Sequence, residues 1–130
     1  MLRLKTPEHL RIVQADGFEA SYGGAESNVA VSLANLGDDA AFLTKLPKNP
    51  VGDAAFNELR RYGVDTSRIL RGGARLGIYF FEKGSDIRPT SVLYDRAGSA
   101  LAEADADEFN WEALLSGIDI FFFSGVTPAI

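Results

Sequence analysis

Two adjacent glycines, Gly23 and Gly24, stand directly before Ala25-Glu26-Ser27-Asn28, and their position suits the reception of a polar ligand. A glycine pair at a strand end frees the backbone for angles closed to other residues and lets a ligand approach the main chain. A helix beginning there turns its free N–H groups toward the same space, where hydroxyl or carboxylate oxygens can be received. Asn28, one turn in, both donates and accepts hydrogen bonds, which suits a polyhydroxylated substrate. The same residues also read as a tight turn whose Asn satisfies local backbone groups. No glycine-lysine-serine/threonine follows at the spacing of a phosphate-binding P-loop. Gly72-Gly73-Ala74 lacks a following helical pattern and reads as a turn. The acidic residues Glu103, Asp105, Asp107 and Glu108 lack the spacing of a calcium loop and read as a solvated segment.

Composition narrows the chemistry further. The 130 residues are 46% hydrophobic, enough for one domain, residues 1–130, with its own core. Eighteen acidic residues against 13 basic ones give a formal charge of -5, and no Lys/Arg run could follow a phosphate backbone, so no nucleic acid partner is expected. With no cysteine and a single histidine, His9, the chain has no disulfide framework, zinc-thiolate site or histidine cluster. Met1 to Leu10 alternates charged and apolar residues and carries no secretory signal. The most apolar run, Ile118 to Phe123, is interrupted by Asp119 and is far shorter than the roughly 20 residues of a membrane helix. No membrane association is expected, and a cytoplasmic setting fits.

The elements that must hold the glycine pair follow from hydrophobic spacing. Phe18 to Tyr22 reads as a strand ending at the glycines. Val29, Ala30, Leu33, Ala34 and Leu36 recur at intervals of three and four, marking a helix that Gly37 stops. A strand is predicted over Ala41 to Leu46, and a second amphipathic helix carries Val51, Ala55 and Leu59 and ends at Gly63. Leu76 to Lys83 and Thr90 to Asp95 read as the two arms of a hairpin. A polar loop from Ala97 to Asp107 leads to a short helix around Asn110 to Leu115. Ile118 to Phe123 then reads as a strand apolar on both faces, central in a parallel sheet. The expected architecture is α/β: a sheet with flanking helices and a small β extension.

The run Gly23-Gly24-Ala25-Glu26-Ser27-Asn28 through Gly37 resembles the amino-terminal signature of the PfkB, or ribokinase-like, family of carbohydrate kinases. Leu43-Thr44-Lys45-Leu46-Pro47, Val51-Gly52-Asp53 and Tyr62-Gly63-Val64-Asp65-Thr66 extend the resemblance along nearly the whole chain. It implies a ribokinase-like sheet with a β lid near residues 76–95, and a sugar site lined by Gly23, Gly24 and Asn28. It also places Ser124-Gly125-Val126-Thr127-Pro128, and with it Gly125, near the sugar, at a strand end where open α/β sheets meet ligands.

Gly77-Ile78-Tyr79-Phe80-Phe81-Glu82-Lys83-Gly84 and Tyr94-Asp95-Arg96-Ala97-Gly98-Ser99-Ala100 resemble the keto-deoxygluconate kinase branch, which implies substrate contacts by Tyr79, Tyr94 and Arg96. With the turn centred between Asp86 and Ile87, Tyr79 lies opposite Tyr94 and Gly77 opposite Arg96, so the three side chains project to one side. A guanidinium can hold a sugar-acid carboxylate through two parallel hydrogen bonds, while tyrosines bond hydroxyl or keto groups and cover apolar edges. By residue type alone, the tyrosines also read as a cross-strand aromatic pair and Arg96 as an ion-pair partner of Asp95 or Glu103. Arg88, in the predicted turn, is left outside the site.

The resemblance implies ATP and magnesium for the full-length family enzyme, and a catalytic aspartate in a carboxy-terminal Gly-Ala-Gly-Asp motif. That motif does not occur here. The expectation is therefore a truncated chain with a clipped amino terminus, no catalytic residue and no nucleotide-binding half, inactive alone and assembling as a homo-oligomer through the lid. A kinase for a neutral sugar or nucleoside, or a non-catalytic sugar-acid-binding or dimerisation module, are the competing readings.

Overall fold

The computed structural model describes residues 1–125. Strand β1 (Leu2–Lys5) and β2 (Glu19–Tyr22) precede helix α1 (Ala25–Leu36); β3 (Thr44–Leu46), α2 (Pro50–Arg61) and β4 (Ile69–Arg71) follow. The hairpin strands β5 (Ile78–Glu82) and β6 (Ser91–Asp95) and the short helix α3 (Trp111–Leu115) complete the order, with single 3-10 turns at Ile12–Gln14 and Ala106–Glu108.

Four strands form one mixed sheet in the order β2-β1-β5-β6, parallel between β1 and β5 and antiparallel at both flanks. The hairpin is thus not a separate extension. It is continued by β1 and β2, whose alternation of charged and apolar residues is the period-two pattern of a strand exposed on one side. The parallel pair β3–β4 forms the second sheet. Between the two sheets the chain passes twice, through Gly23-Gly24 into α1 and through residues 72–77 into β5.

The core is built from the apolar positions the helical spacing marks. Ala30 of α1, Ala55 and Leu59 of α2, Leu46 of β3 and Ile69 of β4 meet Ala40, Val64 and Leu76 in one buried cluster. Helix α1 stops at Gly37, whose left-handed φ of 96° suits a residue without a Cβ. The Asn49 side chain caps α2 by accepting from the Gly52 N–H at 2.9 Å, and Pro50 occupies the first turn. A Cβ on Gly52 would lie 2.1 Å from the carbonyl oxygen of Pro47, a backbone atom of a fully buried residue. Gly52→Ala is therefore expected to lower stability by about 1–3 kcal/mol, the usual cost of overpacking, measured as a fall in the urea midpoint.

Two sequence expectations are corrected. The predicted strand Ala41 to Leu46 is shorter, Thr44–Leu46, with Ala41 making only a single bridge to Asp65, and β4 is an additional three-residue strand. Ile118 to Phe123 is not a central strand. It pairs with no strand among the described residues, and Ile120, Phe121, Phe122 and Phe123 are all more than half exposed. Apolar character on both faces suits a buried strand, but a strand exists only where another offers it hydrogen bonds. Among the described residues, no helix is long and apolar enough to cross a membrane.

Candidate functional site

The hairpin closes as its residue pattern requires. Ser85 and Arg88 exchange backbone hydrogen bonds of 2.9 and 3.0 Å around Asp86 and Ile87, and Asp86 takes the left-handed φ of 50° tolerated by a short polar side chain. His9 donates from Nδ1 to the Gly84 carbonyl at 2.7 Å, and Arg88 donates to the carbonyls of His9 and Lys83, so Arg88 is a turn fastener. The resulting register pairs Tyr79 with Tyr94. Their rings lie 5.9 Å apart, and the Arg96 guanidinium sits 5.1 Å above the Tyr94 ring, which places all three side chains on one face.

That face meets the glycine pair. A Cβ on Gly23 would lie 2.8 Å from the Tyr79 hydroxyl, and one on Gly24 would lie 3.0 Å from Ser27 Oγ. Space, rather than backbone angle, is what glycine supplies here: the φ of 164° at Gly24 is extended backbone open to any residue. No side chain caps the amino end of α1. A cavity of about 410 Å³ opens at this point, lined among others by Gly23, Gly24, Asn28, Arg75, Arg96 and Leu101. The Asn28 side chain is exposed and makes no hydrogen bond within the described residues, so the reading in which it satisfies local backbone does not hold.

Arg96 likewise has no ion pair with Asp95 or Glu103. Arg75 takes Asp95 instead, with Nη1 to Oδ1 at 2.9 Å and Nη2 to Oδ2 at 2.7 Å. The same fork of hydrogen bonds holds the Asp95 carboxyl below the usual carboxylate range. Arg75 was not singled out from sequence; an arginine at a strand entry has no distinguishing pattern, and its role appears only when β6 folds back beside it.

Gly125 stands apart from the other candidates. It is exposed and does not line the cavity, although Ser124 donates to the Glu26 carboxylate from its N–H at 3.1 Å and from Oγ at 2.5 Å. Glu26 lies in the first turn of α1 and does line the cavity, so this contact ties the segment preceding Gly125 to the helix start. The acidic loop is not wholly solvated: Glu108 accepts from the nearly buried Lys45 ammonium at 2.5 and 2.6 Å. Among the described residues no group of three acidic or histidine side chains could hold a metal ion. Gly73 serves close packing, since a Cβ there would lie 2.7 Å from Ala100.

Arranged this way, the site offers an uncapped helix start, a free carboxamide, a tyrosine hydroxyl and an unpaired guanidinium around one opening. These groups suit a small polyhydroxylated anion.

Comparison with known proteins agrees with that chemistry. The family model described as pfkB family carbohydrate kinase matches residues 2–129. A 2-dehydro-3-deoxygalactonokinase of Haloferax volcanii is 43% identical over 130 residues, covering 100% of this chain and 41% of the relative. The solved structure of a 2-dehydro-3-deoxygluconokinase from Thermotoga maritima has 57% identity and a TM-score of 0.87, over 90% of this chain and 36% of that one. A sugar kinase from Pyrococcus horikoshii solved in complex with ATP has 27% identity and a TM-score of 0.78, over 89% of this chain and 38% of its own. The chain thus spans about two fifths of the length of the proteins it matches.

Proposed function

Because the chain belongs to the pfkB family of carbohydrate kinases, we propose that it forms the sugar-acid-holding side of a cytoplasmic kinase that transfers the ATP γ-phosphate to the terminal hydroxyl of 2-keto-3-deoxygluconate. The observation that carries this reading is Arg96, which lines the cavity beside the glycine pair and makes no ion pair with either neighbouring acid. A neutral sugar gives such a cation no partner, whereas a sugar acid presents a planar carboxylate that matches its fork. Support comes from the relatives in Haloferax volcanii and Thermotoga maritima, whose names both specify 2-dehydro-3-deoxy sugar acids.

In this reading Arg96 holds the carboxylate, Tyr79 and Tyr94 bond the keto and hydroxyl groups, and Asn28 with the start of α1 receives the remaining hydroxyls. Gly23 and Gly24 keep the floor open. Gly125 is assigned to the rim through Ser124 and Glu26. Orienting the sugar so that its terminal hydroxyl meets a phosphate in line is the contribution of these residues. ATP, with magnesium to neutralise phosphate charge, is the proposed co-substrate; the described residues include no metal-holding group and the sequence no Gly-Ala-Gly-Asp, so no step is assigned to either within this chain.

Residues 1–130 purified alone are accordingly expected to bind the sugar acid but to form no ADP above background, measured by a coupled ADP assay. Sugar-dependent turnover by the homogeneous chain would contradict the division of labour. Strand β6 lies at a sheet edge with Val92 and Leu93 exposed, which supports assembly with a second copy through the lid; sedimentation velocity reads this directly.

Titration calorimetry with 2-keto-3-deoxygluconate, fructose and ribose tests the substrate class. Preference for the sugar acid is expected, and equal binding of fructose or ribose would favour a neutral-sugar kinase.

A further inference from the structure

We propose that Arg75 is a positioning residue that gives Arg96 its selectivity for a carboxylate, by clamping the chain on both sides of it and by removing Asp95 as a competing partner. This rests on the reading of Arg96 as the carboxylate-holding group.

The clamp consists of four hydrogen bonds. Arg75 Nη1 donates to Asp95 Oδ1 at 2.9 Å and to the Ala97 carbonyl at 3.3 Å; Nη2 donates to Asp95 Oδ2 at 2.7 Å and to the Asp95 carbonyl at 3.1 Å. The two carbonyls belong to the residues immediately before and after Arg96. One guanidinium therefore fixes both flanks of the residue it serves.

The backbone of Arg75 joins the same assembly. Its carbonyl accepts from the Ala100 N–H at 2.8 Å, and the Ser99 N–H donates to the Arg96 carbonyl at 3.2 Å, closing a turn that contains Gly98 at a φ of 66°. Arg96 thus leaves β6 on a short loop held from within and from Arg75.

Two arginines line the cavity, but only one is available to a ligand. The four bonds use all four Nη hydrogens of Arg75. Arg96 makes no ion pair and rests on the Tyr94 ring. An exposed ion pair usually contributes little, but this one is bidentate and also bonds two backbone carbonyls, a set a lysine cannot reproduce.

The test is calorimetry with 2-keto-3-deoxygluconate and with 3-deoxyfructose, in which the carboxylate is replaced by a hydroxymethyl group. Arg75→Ala is expected to weaken the sugar acid roughly tenfold while leaving 3-deoxyfructose within about twofold, with Arg75→Lys intermediate. Added to Arg96→Ala, Arg75→Ala is expected to cause no further loss. Equal weakening of both sugars would show a merely structural role, and a full further loss in the double variant would show direct contact with ligand; either overturns the proposal. Hydrogen exchange at the Ser99 amide supplies a ligand-free reading. It is expected to quicken in Arg75→Ala and Arg75→Lys, and unchanged exchange would show that the clamp does not hold Arg96. Should the unaltered protein fail to distinguish the two sugars, the sugar-acid reading falls, and with it Arg75's selectivity role, while the amide still decides whether the clamp exists.

Discussion

Arg96→Ala is expected to weaken binding of 2-keto-3-deoxygluconate by about 10- to 100-fold and to leave 3-deoxyfructose nearly unchanged, because a charge-assisted, two-pronged bond to carboxylate is lost and nothing else. The guanidinium lines the cavity, stacks on Tyr94 and has no competing acid. Arg96→Lys retains charge without the planar fork and should recover only part of the loss. Lys83→Ala serves as a control, since Lys83 is exposed, belongs to the same lid and does not line the cavity. Calorimetric titration reads all four proteins. If Arg96→Ala weakened both sugars alike, or if Lys83→Ala matched it, the carboxylate would be held elsewhere.

Gly23→Ala is expected to weaken the sugar acid by about tenfold with little change in stability, the separation of the two effects being the informative part. The added Cβ would lie 2.8 Å from the Tyr79 hydroxyl, the far end of a side chain that can swing away without moving the backbone. The hydroxyl then leaves its place beside the cavity, and the sugar loses its partner. Tyr79→Phe removes the obstruction and the hydroxyl together. In that background Gly23→Ala should cost little more, which isothermal titration of the single and double variants can check. Independent, additive losses would mean that Gly23 and Tyr79 do not act on the same part of the ligand. An unfolding midpoint that fell in step with affinity would mean that Gly23 serves packing alone.

The hairpin and its register were legible because they depend on local rules: period-two alternation, a turn at Asp86 and Ile87, and the pairing that follows from its centre. Both helices were legible for the same reason, through apolar spacing and the glycines at Gly37 and Gly63, whose φ values are 96° and 81°. Strand β1 escaped notice because four residues carry little pattern of their own, and its partners β2 and β5 come from distant parts of the chain. Ile118 to Phe123 failed in the opposite way, since composition records a preference for burial but not the presence of a neighbouring edge.

Among the site residues, Tyr79, Tyr94 and Arg96 could be aligned from sequence, but whether Arg96 was free or paired depended on Arg75, twenty-one residues earlier. The glycine pair was found for a reason the fold replaces. Its backbone angles did not require glycine at Gly24; the approach of Tyr79 and Ser27 explains the lack of side chains.

A crystal structure of the protein with bound 2-keto-3-deoxygluconate tests the central claim most directly. The account predicts the carboxylate on Arg96 through two N–H bonds of about 2.8 Å, with the sugar between Tyr79 and the Gly23-Gly24 turn and a hydroxyl on Asn28. A sugar acid bound with its carboxylate away from Arg96, or outside the cavity beside the glycine pair, would contradict it.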